Sequence, residues 1–230
     1  MLDADTLKHS NQYLFNTLEE FFNSKEKEFT CLYAIRSFNK HEMQFGLSDS
    51  RDFLVRDISK NLNKISMYLD SNRSEQSKQL ATYLHIYVGN DDINNVEEFL
   101  VELLQGLHKV DKCQWPIKYT KNMNDPKFEF HFNSHIWFPI LLTPNHPSKA
   151  RQSPFTFIAF QPGVTFDHNK NNNSFLYSRM RKSIHNRIDG LYENDRPYYL
   201  SEKSSGKNII QYIGHDPKEF NKNHCFPYIG

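Results

Sequence analysis

Phe128-Glu129-Phe130-His131-Phe132-Asn133-Ser134-His135-Ile136-Trp137-Phe138-Pro139-Ile140-Leu141-Leu142 is the stretch that decides the fold. Aromatic residues alternate with polar ones from 128 to 132, the two-residue period of a strand. Asn133-Ser134 is short and polar enough to reverse the chain, so His135–Leu142 is predicted to return as a second strand. This is the clearest hairpin in the chain. Working outward, Phe155–Phe160 reads as another strand between Pro154 and Pro162. Ala81–Val88 reads as a strand covered on both faces, because Tyr83, His85 and Tyr87 alternate with Leu84, Ile86 and Val88.

Upstream, residues 5–24 carry a helical pattern with Leu7, Tyr13, Leu14, Leu18, Phe21 and Phe22 on one side. Phe29–Ile35 and Lys40–Gly46 are predicted as strands joined by a turn at Asn39-Lys40-His41. Ser48-Asp49-Ser50 begins a helix over Phe53–Leu69, with apolar residues at 54, 55, 58, 62, 65 and 69. Asn94 or Asn95 caps a helix running to about Val110, with Glu97 and Glu98 well placed against the helix dipole. Trp115–Lys127 reads as a loop and Asn171–Ile188 as a basic helix; the last 40 residues are mostly irregular. Hairpins with helices between them predict one α+β domain, a mainly antiparallel sheet with helices packed against it.

Composition narrows the function classes. The 230 residues carry 28 Lys plus Arg against 27 Asp plus Glu, and this near-neutrality argues against a general nucleic-acid binder. Nineteen Phe and 12 Tyr exclude a disordered chain. No apolar run reaches the roughly 20 residues of a membrane span, and the acidic start Met1-Leu2-Asp3-Ala4-Asp5 is no secretory signal. A cytoplasmic chain with no membrane partner is expected, and a homodimer would be unsurprising for so strand-rich and aromatic a domain. Cys31, Cys113 and Cys225 are too widely spaced for a zinc knuckle or a disulfide framework. His-Glu-x-x-His, a Gly-rich phosphate loop and Gly-x-Ser-x-Gly are all absent.

Several residues could carry chemistry. His131 and His135 are four apart but straddle the hairpin turn, so they need not share a face. His146 lies in Thr143-Pro144-Asn145-His146-Pro147, where prolines stiffen the backbone at a strand end. Such a loop suits an axial metal ligand, and a proline-rich turn with an incidental histidine is its bland reading. Lys149 and Arg151 follow closely and could meet anionic groups such as haem propionates. Cys31 and Cys225 are thiolate candidates for haem, or small buried hydrophobes. Phe128, Phe130, Phe132 and Trp137 could line an apolar haem cleft or simply fill a core.

Taken together, these segments resemble the bacterial YqcI/YcgG family. Its Phe-Pro-Cys-x-x-Ala is similar to Phe29-Thr30-Cys31-Leu32-Tyr33-Ala34. Its Leu-Leu-Gln-x-Leu-His-x-x-Asp is similar to Leu103 through Asp111. A Trp, an Asp-Pro loop and a Phe-x-Phe strand follow in the family, as do Trp115, Asp125-Pro126 and Phe128-Glu129-Phe130 here. His-Pro-x-x-x-Arg matches His146 through Arg151. Gln-Tyr-x-Gly matches Gln211 through Gly214, and Cys-Pro-Phe resembles Cys225-Phe226-Pro227. The family includes haem-dependent N-oxygenases, among them a pre-guanitoxin N-hydroxylase and an arginine hydroxylase of cycloserine biosynthesis.

The resemblance implies an N-terminal helix over 1–28 and one haem-oxygenase-like α+β domain over 29–228. It implies a haem b monooxygenase that N-hydroxylates an amine or guanidine of a small amino-acid-like substrate, using O2 and an electron donor. His146 is then the expected iron ligand, and Lys149 and Arg151 the expected propionate contacts. The chain departs from the pattern at Gln152-Ser153-Pro154-Phe155 (a shortened loop), at Gly163 (a missing histidine), at Asp195-Arg196-Pro197 and at Lys207-Asn208 (a missing carboxylate). Those departures leave two alternatives: a haem sensor or carrier without turnover, and a structural module without haem.

Overall fold

The computed structural model describes residues 1–24, 29–71, 82–89, 93–164, 174–193, 195–200 and 208–214. Its centre is a five-stranded sheet in the order β1-β2-β5-β4-β3. The strands are β1 (Gln44–Ser48), β2 (Tyr83–Tyr87), β3 (Phe130–Phe132), β4 (His135–Leu142) and β5 (Thr156–Pro162). The helices are α1 (Ala4–Ser10), α2 (Gln12–Asn23), α3 (Leu32–Asn39), α4 (Arg51–Ser71), α5 (Val96–Val110), α6 (Ser174–Leu191) and α7 (Asn208–Ile213). β1 and β2 pair in parallel across α4, and the other pairings are antiparallel. An α+β domain with a mainly antiparallel sheet is what the pattern predicts.

The hairpin forms as read. Phe132 pairs with His135 and Phe130 with Trp137, and Asn133 and Ser134 take φ of 50° and 63°. Two consecutive left-handed residues give the turn whose twist matches a two-residue hairpin. Asp111 holds it from outside, accepting the Asn133 N–H at 2.9 Å on one carboxylate oxygen and the Cys113 N–H at 2.9 Å on the other.

Alternation along the strands builds two cores. Tyr83, Tyr87, Ile158, Phe160, Trp137 and Leu141 pack against α4, α5 and α7, where Ile58, Leu62, Leu100, Leu104 and Ile213 are buried. Leu84, Ile86, Phe157, Ala159 and Leu142 meet α1, α2 and α3 through Leu7, Leu18, Phe22 and Phe38. β2 is buried at all five positions because helices cover both of its faces.

Three readings change. The helix over 5–24 divides at Asn11, whose side chain accepts the Leu14 N–H at 3.0 Å and so starts α2 while its N–H closes α1. Tyr13 consequently points outward, 74% exposed. The strand expected over Phe29–Ile35 is instead the beginning of α3. Its deciding pattern is Ala34, Ile35 and Phe38, spaced for one helix face, with Phe38 stacked on Phe15 and tilted against Phe22. The strand expected over Lys40–Gly46 begins later, at Gln44, because His41 turns with φ of 56°.

A polar chain crosses the buried sheet. The Ser48 hydroxyl donates to the Asp57 carboxylate at 2.8 Å, so it accepts from His85 Nε2 at 3.0 Å. His85 Nδ1 is left to accept the Tyr83 hydroxyl at 2.7 Å, whose oxygen accepts Asn61 Nδ2 at 2.8 Å. The Asp57 carboxylate thus orients four hydrogen bonds in one direction. Gly46 is the neighbour that leaves room for them: a Cβ there would lie 2.2 Å from the Tyr83 hydroxyl and 2.8 Å from His85 Nδ1.

Two outcomes follow from this network. Gly46→Ala should destabilise the fold by about 1–3 kcal/mol through overpacking, read as a lower urea midpoint. Burial chiefly lowers the His85 pKa to about 4, with the Asp57 charge opposing. The unfolded imidazole titrates near ~6.5, so the unfolded state binds more protons between those values. Stability from His85 is complete above about pH 6.5 and falls as pH drops toward 4, by about 2 kcal/mol between roughly pH 7 and 5. Urea titrations at both pH values should show that loss, and His85→Gln should reduce it.

Candidate functional site

β4 runs out at Leu142 into the loop 143–153, which is closed on itself. Thr143 N–H donates to the Arg151 carbonyl at 3.1 Å and Ser153 N–H returns to the Thr143 carbonyl at 3.3 Å. Arg151 ends a short 3-10 turn, Lys149–Arg151. Pro144 and Pro147 restrict the backbone on either side of His146, which is only 1% exposed.

The His146 ring is engaged at both nitrogens. Nδ1 accepts the Ser148 N–H at 3.0 Å, so the ring proton sits on Nε2, which donates to the Ile213 carbonyl at 2.9 Å. The sequence reading expects an iron ligand here. In this arrangement neither nitrogen has a lone pair to give, and the imidazole is a bracket between its loop and α7.

The same loop gathers other distant segments. Ser148 Oγ meets the Tyr192 hydroxyl at 2.6 Å and, closer still, that of Tyr199; Tyr192 also accepts the Ala150 N–H at 3.1 Å. Arg151 Nη2 donates to the Gln211 carbonyl at 3.0 Å, and the Tyr199 hydroxyl and Cys31 stand beside its guanidinium. Among the described residues no carboxylate pairs with Arg151. Gly214, at φ of +83°, packs on it so closely that a Cβ would lie 2.7 Å from Arg151 Cγ. Two constraints therefore require glycine there, the left-handed backbone and the close approach.

Cys31 precedes α3 as its N-terminal flanking residue and is half-buried and free. Burial raises its pKa, and the backbone N–H groups of Ala34 and Tyr33 and the Arg151 charge oppose that rise without overcoming it. It is a neutral thiol that a metal would deprotonate on binding. Arg187 ties α6 to the same corner, donating to the Phe29 carbonyl at 3.0 Å.

Cys31, His146 and Arg151 are thus brought together, whereas Lys149 is exposed and stands apart. Phe128, Phe130, Phe132 and Trp137 are buried core residues at 1% exposure or less. Cys225 lies outside the described residues. Sequence reasoning missed Ser148, Tyr192 and Tyr199, because hydroxyl groups 44 and 51 residues apart carry no common pattern.

Two further features lie nearby. A cleft of about 260 Å³ opens beside the loop between Tyr87, Gly89 and Ile93 on one side and Thr143, Asn145 and Thr156 on the other. Among the described residues its lining has no charged side chain, and the Thr143 hydroxyl at its wall is buried with no partner among them. On the far side of Tyr212, His131 Nδ1 donates to the Glu129 carbonyl at 2.8 Å while Nε2 is buried without a partner against Trp115 and Tyr119. His131 and His135 fall on opposite faces, since His131 pairs with Ile136. No group of three or more His, Cys, Asp or Glu side chains among the described residues is placed to hold a metal ion, and no described helix is long and apolar enough to cross a membrane.

No solved structure matches the chain. It is 24% identical over 186 residues to the uncharacterized protein YqcI of Bacillus subtilis (strain 168), covering 78% of this chain and 72% of that one. To the uncharacterized protein YcgG of the same organism it is 29% identical over 98 residues, covering 42% of this chain and 38% of that one. Residues 17–228 match the YqcI/YcgG family as a whole. That match spans most of the chain and takes in every residue of the cluster around His146: the protein belongs to the YqcI/YcgG family.

Proposed function

We propose that the protein is a haem-dependent N-hydroxylase acting on an amine or guanidine of a small amino-acid-like substrate. The observation that carries this reading is the meeting of Cys31, the His146–Arg151 loop and Gln211–Gly214 at one place. Those are three of the segments on which the resemblance to haem-dependent N-oxygenases rests. Bound haem would supply the activation of O2.

In this reading the protein residues divide the remaining work. We take Cys31 Sγ, once deprotonated, as the first candidate iron ligand, with His146, the ligand the resemblance implies, as the alternative that would have to give up one of its two hydrogen bonds. The Arg151 guanidinium faces no carboxylate and is complemented by an anionic group such as a propionate. Lys149, exposed two residues before Arg151, would meet a propionate only at the solvent edge of the site. His146 positions α7, and through it the Gln211 carbonyl on Arg151. The cleft beside Thr143 has room for a small polar substrate. Lys207-Asn208, where the family pattern has a carboxylate, and the shortened loop after Arg151 favour a second reading, a haem carrier without turnover.

The test is an absorption titration with hemin, run on the natural protein and on Cys31→Ala and His146→Ala. A saturable Soret band at one haem per chain is expected, altered in position and weakened by Cys31→Ala. His146→Ala should retain the band while unfolding about 2–4 kcal/mol more easily, because the Ser148 N–H and the Ile213 carbonyl lose their buried partner. A flat titration of the natural protein overturns the haem reading. Loss of the band in a folded His146→Ala protein, with Cys31→Ala unaffected, returns the iron to His146. Substrate-dependent O2 consumption with a chemical reductant separates the hydroxylase from the carrier.

A further inference from the structure

Helix α6 is unlike the other long helices. Over 171–188 the sequence has Arg179, Arg181, Lys182 and Arg187 and no Asp or Glu. The first carboxylate, Asp189, is already held by Arg196, with nitrogen–oxygen distances of 2.7–2.9 Å. A chain of net charge +1 therefore concentrates positive charge on one element.

Phe175, Arg179, Lys182 and Asn186 recur at helical spacing and all are exposed, Phe175 by 73%. Ile188 is the one fully buried side chain among those described on α6. An exposed aromatic set among cations has the make-up of an interface centre, where aromatic and arginine residues dominate the energy. The described apolar side chains away from this stripe, Met180, Ile184 and Ile188, are half-buried or buried, so they are not an open apolar face for a membrane surface.

The helix is also fastened to the candidate site at its C-terminal end. Arg187 donates to the Phe29 carbonyl, two residues before Cys31, and Tyr192 bonds Ser148 in the His146 loop. Arg179 stands eight residues before Arg187, about 12 Å along the helix axis. N-hydroxylation of an amine takes up O2, two electrons and two protons, forms one N–O bond and releases one water, so a reductant must dock close by.

We infer that α6 is the docking surface for an acidic electron-transfer protein, an iron–sulfur or flavin carrier whose carboxylates meet Arg179 and Lys182 beside Phe175. This rests on the hydroxylase reading for its purpose, but the surface can be judged separately. Charge pairs at an interface rim act mainly on association rate and are weakened by salt.

The experiment uses the full chain and a plant-type [2Fe–2S] ferredoxin as probe. Binding is measured by calorimetry on haem-free protein, and reduction by stopped-flow absorbance on hemin-loaded protein. Expected are saturable binding that weakens at least tenfold in about 0.5 M salt, and a loss of at least tenfold in both affinity and reduction rate in Arg179→Glu/Lys182→Glu. Phe175→Ala should weaken binding with less salt dependence. Hemin affinity and reduction by dithionite should stay unchanged in these variants. Failure of the natural protein to bind ferredoxin, equal binding by the charge-reversed variant, or tighter binding to phosphatidylserine vesicles or an oligonucleotide each overturns the proposal. Failure to load hemin, with salt-sensitive ferredoxin binding intact, instead overturns the hydroxylase reading and leaves the surface standing.

Discussion

One imidazole organises the functional half of this molecule. His146 accepts a backbone N–H two residues downstream and donates to a carbonyl 67 residues away. Its tautomer is therefore dictated by its neighbours. Because the ring is buried, each of these bonds is worth more than its net contribution elsewhere, since breaking either strands a polar group out of water. The loop and α7 are held at one separation, and Arg151, Gln211 and Gly214 then fall into contact as a consequence.

The cluster around that ring is made of groups that burial leaves in tension. Arg151 keeps its charge at a depth where desolvation disfavours it, with a thiol, phenol groups and a carbonyl as company and no described carboxylate. Tyr199 is pushed upward by burial and answered by the same guanidinium. A protein interested only in stability would do better with apolar side chains of similar volume here. A cation with no described carboxylate beside a free thiol suits a site that receives something anionic, which supports the proposed haem site alongside the meeting of the three segments.

Hydrogen bonding in the sheet follows a different logic. The chain from Asn61 to Asp57 links five side chains by four hydrogen bonds, so it ties β1, β2 and α4 into one unit. His85, at its middle, is held at both nitrogens as His146 is, but by side chains rather than backbone. Two buried histidines with satisfied nitrogens and one, His131, with an unsatisfied nitrogen show how little the residue type alone says.

Periodicity was enough for the hairpin, for α4 and α5 with their caps, and for the doubly covered strand β2, because each is set by contacts within a few residues and by which face must leave water. The same local pattern misassigned Phe29–Ile35, where alternation and helical spacing coincide over so short a stretch that only packing on Phe15 and Phe22 decides. The sequence by itself determined the α+β class and marked His146, Arg151 and Cys31 as residues in suggestive surroundings. That those three share a corner with Tyr192, Tyr199 and Gln211, and that His146 spends both nitrogens on backbone, only the tertiary structure decided. Hydrogen bonds between segments 40 to 70 residues apart depend on where the sheet and its helices put the chain, and no spacing in the sequence encodes them.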